Sequence, residues 1–83
     1  MNLYMITMGE DAEYIHYVAA YTTIEAIKIF CDAHSIPFDS MYSTDEIVMI
    51  PKDQWESLIF VDESGNKTTA AEEMKGKIHA FAI

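Results

Sequence analysis

The chain has 83 residues, 51% of them hydrophobic and 12% aromatic, and its fourteen acids against five lysines give a formal net charge of −9 at pH 7. A chain this rich in apolar side chains can bury a core, which excludes intrinsic disorder, and its length predicts a single domain over residues 1–83. It contains no arginine, the residue best suited to read phosphate and guanine, so we expect no direct binding of nucleic acid.

The cysteine content and the hydropathy pattern indicate a cytoplasmic protein. Cys31 is the single cysteine, so no intrachain disulfide can form, which is typical of a reducing compartment. The N-terminal residues lack the basic region and the long apolar run of a signal peptide. No apolar stretch reaches the ~18–20 residues that cross a bilayer, and we expect no membrane association.

The first two predicted elements form a β-hairpin. Leu3 to Met8 is apolar on both faces, which is typical of a buried strand. Gly9-Glu10-Asp11 is a turn signal, and residues 13–21 form a second β-rich run that carries three of the five tyrosines. Two such runs joined by a short turn predict a hairpin.

A helix is predicted to follow the hairpin directly. Thr22-Thr23-Ile24-Glu25 fits a capping box, in which Thr22 accepts from a backbone N–H of the first turn and Glu25 reaches back to the cap. The helix should extend to about His34 and pack on the hairpin. Five side chains fall in one arc of its helical wheel, and we expect them to form the buried face: Ile24, Ile27, Phe30, Cys31 and His34.

The rest of the chain predicts shorter elements. They are a connection over residues 35–44, a strand from Glu46 to Ile50, a helical turn over 51–55, a strand from Leu58 to Val61, a turn over 63–66, a short helix opened by a capping box at Thr69–Glu72 and ended by Gly76, and a terminal strand from Ile78 to Ile83. The order ββαββαβ predicts an α+β fold: a small antiparallel sheet of four to five strands, with one main helix and one short helix.

Catalytic and metal-binding chemistry has little support in the residue pattern. Cys31 and His34 share one helical face, but a structural zinc ion needs four ligands, and the others would have to be His16, His79 and a carboxylate. The chain has no second closely spaced pair, and no positive charge near Cys31 would lower its pKa. We therefore expect no enzyme activity, no cofactor and no bound metal.

Protein recognition is better supported, because acids and tyrosines occur together near the hairpin. Residues 1–51 hold eight acids and one lysine, and tyrosine is favoured at interfaces, where its ring is buried and its hydroxyl stays wet. The alternative is that these tyrosines are ordinary sheet residues. The candidate partner-binding residues are Glu10, Asp11, Glu13, Tyr14, Tyr17, Asp32 and Asp39.

A short acidic chain that starts with a β-hairpin (Leu3–Met8 and Tyr14–Tyr21) and a capped helix (Thr22–His34) resembles small proteins of phages and mobile elements. Among these it is most similar in character to the anti-CRISPR inhibitors. The resemblance implies a protein of the host cytoplasm that antagonises a nucleic-acid-binding complex of its host. It implies no particular site residue, because these inhibitors share no common fold.

Two functions follow as expectations. The first is a non-enzymatic inhibitor whose carboxylates take the place of phosphates on a basic protein surface, either as a DNA mimic or as a steric block. The second is a regulatory or structural module that homodimerises through an apolar sheet or helix face. The view that competes with the first is that the charge of −9 only keeps a small domain in solution. A third function, the least supported by the motif search, is a small enzyme that uses His16, His34 or His79 with a nearby acid.

Overall fold

A computed structural model describes residues 1–8, 14–35, 37 and 46–83. Six strands form an antiparallel four-stranded sheet in the order β3-β1-β2-β6 and a separate two-stranded sheet of β4 and β5. The strands are β1 (Asn2–Met8), β2 (Tyr14–Ala20), β3 (Glu46–Ile50), β4 (Ile59–Val61), β5 (Lys67–Thr69) and β6 (Phe81–Ala82). The helices are α1 (Thr23–His34), a 3-10 turn (Lys52–Gln54) and α2 (Ala70–Met74). The predicted α+β fold class is confirmed.

The predicted hairpin forms the centre of the main sheet. β1 and β2 pair antiparallel from Asn2 opposite Ala20 to Met8 opposite Tyr14. β1 also pairs with β3, with Leu3 opposite Ile50. This central position explains why β1 is apolar on both faces, because side chains of a strand alternate between the two faces and here both faces are covered.

The two faces of the sheet carry separate cores. The even-numbered side chains Tyr4, Ile6 and Val18 pack with α1, and we call this side the helix face. The odd-numbered side chains Leu3 and Ala19 pack on the other side with α2, the 3-10 turn and the two-stranded sheet, and we call it the composite face. The main sheet is therefore the middle layer of three.

Helix α1 confirms the predicted start and end, and it corrects the predicted buried face. The Thr22 side chain accepts from the Glu25 N–H at 3.1 Å, and the Glu25 carboxylate accepts from the N–H of Tyr21, one residue before the cap, at 2.8 Å. Ile24 was expected in the core but is 61% exposed, and His34 is exposed as well. The buried residues are Ala26, Phe30 and Cys31, since the helix turns its Ala26–Phe30 edge toward the sheet and a small residue allows close approach there.

Short elements that hold one another by hydrogen bonds cover the composite face. The Trp55 indole N–H donates to the carbonyl of Ile50 at 3.1 Å. The backbone N–H of Ala70 donates to Leu58 at 2.8 Å, and that of Ala71 donates to Trp55 at 3.1 Å. These bonds tie the start of α2 to the segment that follows β3, so the small elements form one cover.

Two predictions for the second half of the chain need correction. β5 was missed, because Lys67-Thr68-Thr69 is polar and forms a strand only through its pairing with β4. The terminal strand was predicted over residues 78–83, but only Phe81 and Ala82 pair with β2. The predicted helix from Thr69 is confirmed, with the Thr69 side chain accepting from the N–H of Glu72 at 3.2 Å.

Candidate interaction surface

Acidic side chains lie at the surface without lysine partners. Nine of the fourteen acids fall within the described ranges: Glu25, Asp32, Glu46, Asp53, Glu56, Asp62, Glu63, Glu72 and Glu73. No charged residue of these ranges is buried. Within the same ranges none of these carboxylates lies within 4.0 Å of a lysine nitrogen, although all five lysines are described. The negative charge is thus presented to solvent instead of being neutralised by internal ion pairs.

Four of the predicted partner-binding residues, Glu10, Asp11, Glu13 and Asp39, lie outside the described residues. Tyr14 is the first residue of β2, and its side chain lies outside the described part as well. The structure therefore places the backbone strand on which the predicted surface was centred, and it leaves the predicted acidic tip as an expectation.

The other two predicted residues lie on opposite sides of the sheet. Tyr17 is half-buried on the composite face, where its ring meets the Phe60 ring edge-on at a centroid distance of 4.9 Å. Asp32 is exposed on α1, which covers the helix face. Tyr17 is thus part of the packing between the main sheet and β4, and it does not share a surface with Asp32.

An open groove of about 430 Å³ lies on the composite face, between the β4–β5 hairpin, α2 and β6. Phe60 from β4 and Phe81 from β6 line it, and both rings also pack against the core of this face. Val61 and Ile83 add further apolar surface. The groove forms because short elements meet here at their ends and leave two aromatic rings half-buried.

Three charged side chains line the same groove: Asp62, Glu73 and Lys77. One carboxylate oxygen of Asp62 accepts from the N–H groups of Ser64 and Asn66, both at 2.9 Å, which fixes the turn before β5. Gly65 in this turn has a φ of 84°, a left-handed conformation that favours glycine. The Lys77 ammonium lies 5.6 Å from the centre of the Phe81 ring, so a cation already occupies the face of one groove aromatic.

A second cluster of aromatic side chains lies at the end of α1. The rings of His16 and His34 meet edge-on at a centroid distance of 4.4 Å, and both rings contact Phe30. Partial burial lowers the pKa of His16 below its ordinary value of 6.5, and the neighbouring His34 lowers it further. The neutral form of His16 is therefore favoured in the folded protein.

Cys31 and His34, the pair considered for zinc, have different surroundings. Cys31 is buried in the core of the helix face, and burial, with a smaller contribution from Asp32, raises the pKa of its thiol. A buried thiol that stays protonated is a poor nucleophile and a poor ligand. In the described ranges, no three His, Cys, Asp or Glu side chains come close enough together to hold a metal ion.

The described part also contains no helix that is long and apolar enough to cross a membrane.

The groove residues were not among the sequence-based candidates. The signal that could have found them is the hairpin formed by Ile59–Val61, a turn that starts at Asp62, and the β-branched pair Thr68-Thr69. Recognising β5 would have placed the Asp62 turn and Phe60 on one hairpin. The contribution of Phe81 depends on the pairing of β6 with β2, which no local pattern specifies.

Comparison with known proteins identifies no relative. No family model, no curated protein and no solved structure matches this chain.

Proposed function

We propose that this protein is a non-enzymatic binding protein that docks on the basic surface of a larger protein. The observation that carries the proposal is the set of nine described carboxylates, all of them at the surface and none within 4.0 Å of a lysine nitrogen. Three of them accept hydrogen bonds within the chain, but none is neutralised by a lysine, so their negative charge remains available to a basic partner.

Electrostatics gives this arrangement a consequence for the rate of association. At physiological ionic strength salt screens surface charge over a Debye length of about 8 Å. Within that distance the carboxylates attract a positively charged partner and steer it into contact. Steering of this kind raises association rates more than it lengthens the life of the complex. The complex should therefore form fast at low salt and more slowly as salt is added.

The partner class follows from the same charge. Grooves that hold DNA or RNA are lined with Lys and Arg, and a compact body of charge −9 competes with nucleic acid for such a groove. We propose an inhibitor of the anti-CRISPR type, encoded by a phage or mobile element and acting in the host cytoplasm. Its contact surface would include the predicted acidic tip of the hairpin, Glu10, Asp11 and Glu13.

The experiment is capture of partners on the immobilised protein, followed by competition with duplex DNA at about 0.15 M salt. We expect a captured protein that duplex DNA displaces, and whose own DNA binding is lost when the acidic protein is added in excess. The acidic protein alone should give no gel shift with bare DNA. A captured set that DNA does not displace would contradict the proposal.

Two triple variants with the same change in net charge locate the surface. The first replaces Glu10, Asp11 and Glu13 by lysine, and the control replaces the exposed acids Asp53, Glu56 and Glu63 by lysine. We expect the first to lose at least tenfold more affinity than the control. Equal losses would mean that only total charge matters, and no loss in either variant would overturn the proposal.

Edge strand β3 favours a second candidate function, a self-associating module. Val48 is 44% exposed and Met49 54% exposed on this strand, and among the described strands β3 pairs with β1 alone. An unpaired edge with exposed apolar side chains is a site for pairing with another chain. A second copy could pair antiparallel about Val48, which would place Ile47 opposite Met49 of the second copy.

Sedimentation equilibrium tests this second function directly. If it holds, the protein is a dimer, Val48→Lys makes it a monomer, and added salt strengthens the dimer by screening repulsion between two bodies of charge −9. A protein that stays monomeric at about 100 μM in high salt excludes it. That result would leave the inhibitor proposal unaffected.

A further inference from the structure

We propose that the groove on the composite face receives an arginine side chain of the partner protein. This inference deepens the proposed function and rests on it, because it assigns to one cavity the contact that a basic partner would make. Two aromatic rings and carboxylates from two different elements line it, and a lysine of the chain itself already lies over one of these rings. Each of these features suits one part of an arginine side chain.

The aromatic lining suits the apolar stem and the flat face of the guanidinium group. Phe60 and Phe81 are half-buried and are held in place by the core, with Phe60 fixed edge-on against Tyr17 at 4.9 Å. Rings whose positions are fixed by packing lose little conformational freedom when a ligand covers them. A guanidinium plane stacks on such a ring, and its three methylene groups cover the apolar surface beside it.

The carboxylates that line the groove suit the charged guanidinium head. Asp62 comes from the turn after β4 and Glu73 from α2, so the two carboxylates belong to different elements that line one groove. The second oxygen of Asp62 and both oxygens of Glu73 accept no hydrogen bond within the described part of the chain. A guanidinium has five N–H donors in a fixed planar arrangement, so it can donate to both carboxylates at once. A lysine ammonium, a compact point charge, does this less well.

Lys77 shows that the groove accepts a cation. Its ammonium lies 5.6 Å from the centre of the Phe81 ring, without a carboxylate within 4.0 Å in the described ranges. It occupies the position over the ring that a partner's guanidinium would take, so the two cations would compete. Removing the Lys77 charge should therefore strengthen binding of an arginine side chain at this site.

The probe is a fluorescent heptapeptide of alternating glycine and arginine, compared with peptides in which lysine or the neutral analogue citrulline replaces arginine. Fluorescence anisotropy at low salt gives the affinity, and NMR of the aromatic side chains gives the place of binding. We expect the arginine peptide to bind more tightly than the lysine peptide, to shift the ring signals of Phe81, and to lose its binding when citrulline replaces arginine.

Neighbouring residues of equal charge provide matched controls. Asp62→Asn and Glu73→Gln remove a groove carboxylate, while Glu63→Gln and Glu72→Gln remove the adjacent one, which does not line the groove. Each amide side chain still has one acceptor oxygen. Asp62→Asn can therefore keep the hydrogen bond that fixes the turn, and Glu72→Gln can keep the one from the Thr68 hydroxyl. We expect the groove variants to weaken arginine binding roughly threefold to tenfold and the controls less than twofold.

Lys77 and Lys75 provide a third matched pair, for which the expected change in affinity has the opposite sign. Lys77→Met keeps an apolar stem near Phe81 and should strengthen arginine binding about twofold to fivefold. Lys75→Met makes the same change in net charge outside the groove and should change affinity less than twofold. Because each pair alters total charge equally, any difference within a pair belongs to the groove.

The outcomes separate this inference from the proposed function. If both members of every pair change affinity equally, or if lysine binds as well as arginine, the groove is not an arginine site, while the acidic protein still binds basic partners. If the peptides bind nowhere and no captured partner is displaced by DNA, the proposed function fails as well. Pairwise differences of the expected sign with shifts at Phe81 support the inference.

Discussion

The two faces of the main sheet are covered in different ways, and the difference explains where the groove lies. One helix of 12 residues covers the helix face, and it buries Phe30 to 1% exposure against Ile6 and Val18. On the composite face the cover consists of a 3-10 turn, a two-stranded sheet and a five-residue helix. Phe60 and Phe81 there remain half-buried.

A continuous element and an assembled one differ in how they meet the sheet. A helix offers a row of side chains at fixed spacing, so one stripe can fill one face. Short elements meet at their ends, where turns and caps need polar groups and solvent. The helix face is therefore suited to stability, and the composite face leaves aromatic surface beside carboxylates, which is suited to binding.

The largest expected difference between the faces concerns their aromatic residues. Phe30→Ala should lower the free energy of unfolding by about 3–5 kcal/mol, because it leaves a cavity in a closed core. Phe60→Ala should cost about 1–3 kcal/mol, because its half-buried ring loses less apolar burial. Urea unfolding followed by circular dichroism measures both values. Equal losses would mean that the composite face is as closed as the helix face.

Removing the N-caps of the two helices should change stability less than removing the aromatic rings, and it compares the same two faces. Thr22→Ala should destabilise the protein by about 0.5–2 kcal/mol, because Thr22 caps the long helix that covers one face alone. Thr69→Ala should fall at the lower end of that range, since α2 can fray while its neighbours still cover the face. The serine variants keep the hydroxyl and serve as controls in thermal melts. If Thr69→Ala destabilises the protein more than Thr22→Ala, the composite face depends on its short helix more than the helix face depends on α1.

The smallest expected effect is a pH dependence that belongs to the helix face. The pKa of His16 is lowered in the folded protein, so its neutral form contributes stability that is fully present above 6.5 and is lost as the pH falls below 6.5 through the lowered folded value. The groups that face it are His34 and Phe30. Between about pH 7 and pH 5 the melting temperature should fall more for the wild type than for His16→Phe. Parallel curves for the two proteins would show that His16 does not contribute.

Local patterns predicted the helix face well. The apolar run of β1, the β-rich run of β2 and the Thr22 cap are patterns of neighbouring residues, so the two strands and the helix could be predicted without reference to distant residues. The rotation of α1 about its axis was not predictable in this way. Ile24 and Ala26 are both apolar, and only contact with the sheet decides that the smaller residue is buried and the larger exposed.

The composite face depends partly on contacts between distant parts of the chain. β5 is a strand only because β4 lies beside it, and β6 is short because only Phe81 and Ala82 reach β2. The Tyr21 hydroxyl donates to the carbonyl of Ile78 at 2.6 Å, which ties the entry of α1 to the segment before β6. The β4–β5 pairing has a local hairpin signal, but the β2–β6 pairing and the Tyr21–Ile78 hydrogen bond join residues far apart in the chain, which no window of a few residues specifies.

The sequence by itself determined the fold class, the hairpin, the capped helix and the excess of acids, because composition, alternation and capping act over short distances. Tertiary structure alone decided that the described acids lie unpaired at the surface, that Tyr17 and Asp32 face opposite ways, and that Phe60, Asp62, Glu73, Lys77 and Phe81 share a groove. The physical reason is that the groove depends on how several short elements pack together and on the pairing of β6 with β2, and the order in which strands pair across a sheet is not encoded in any one of them.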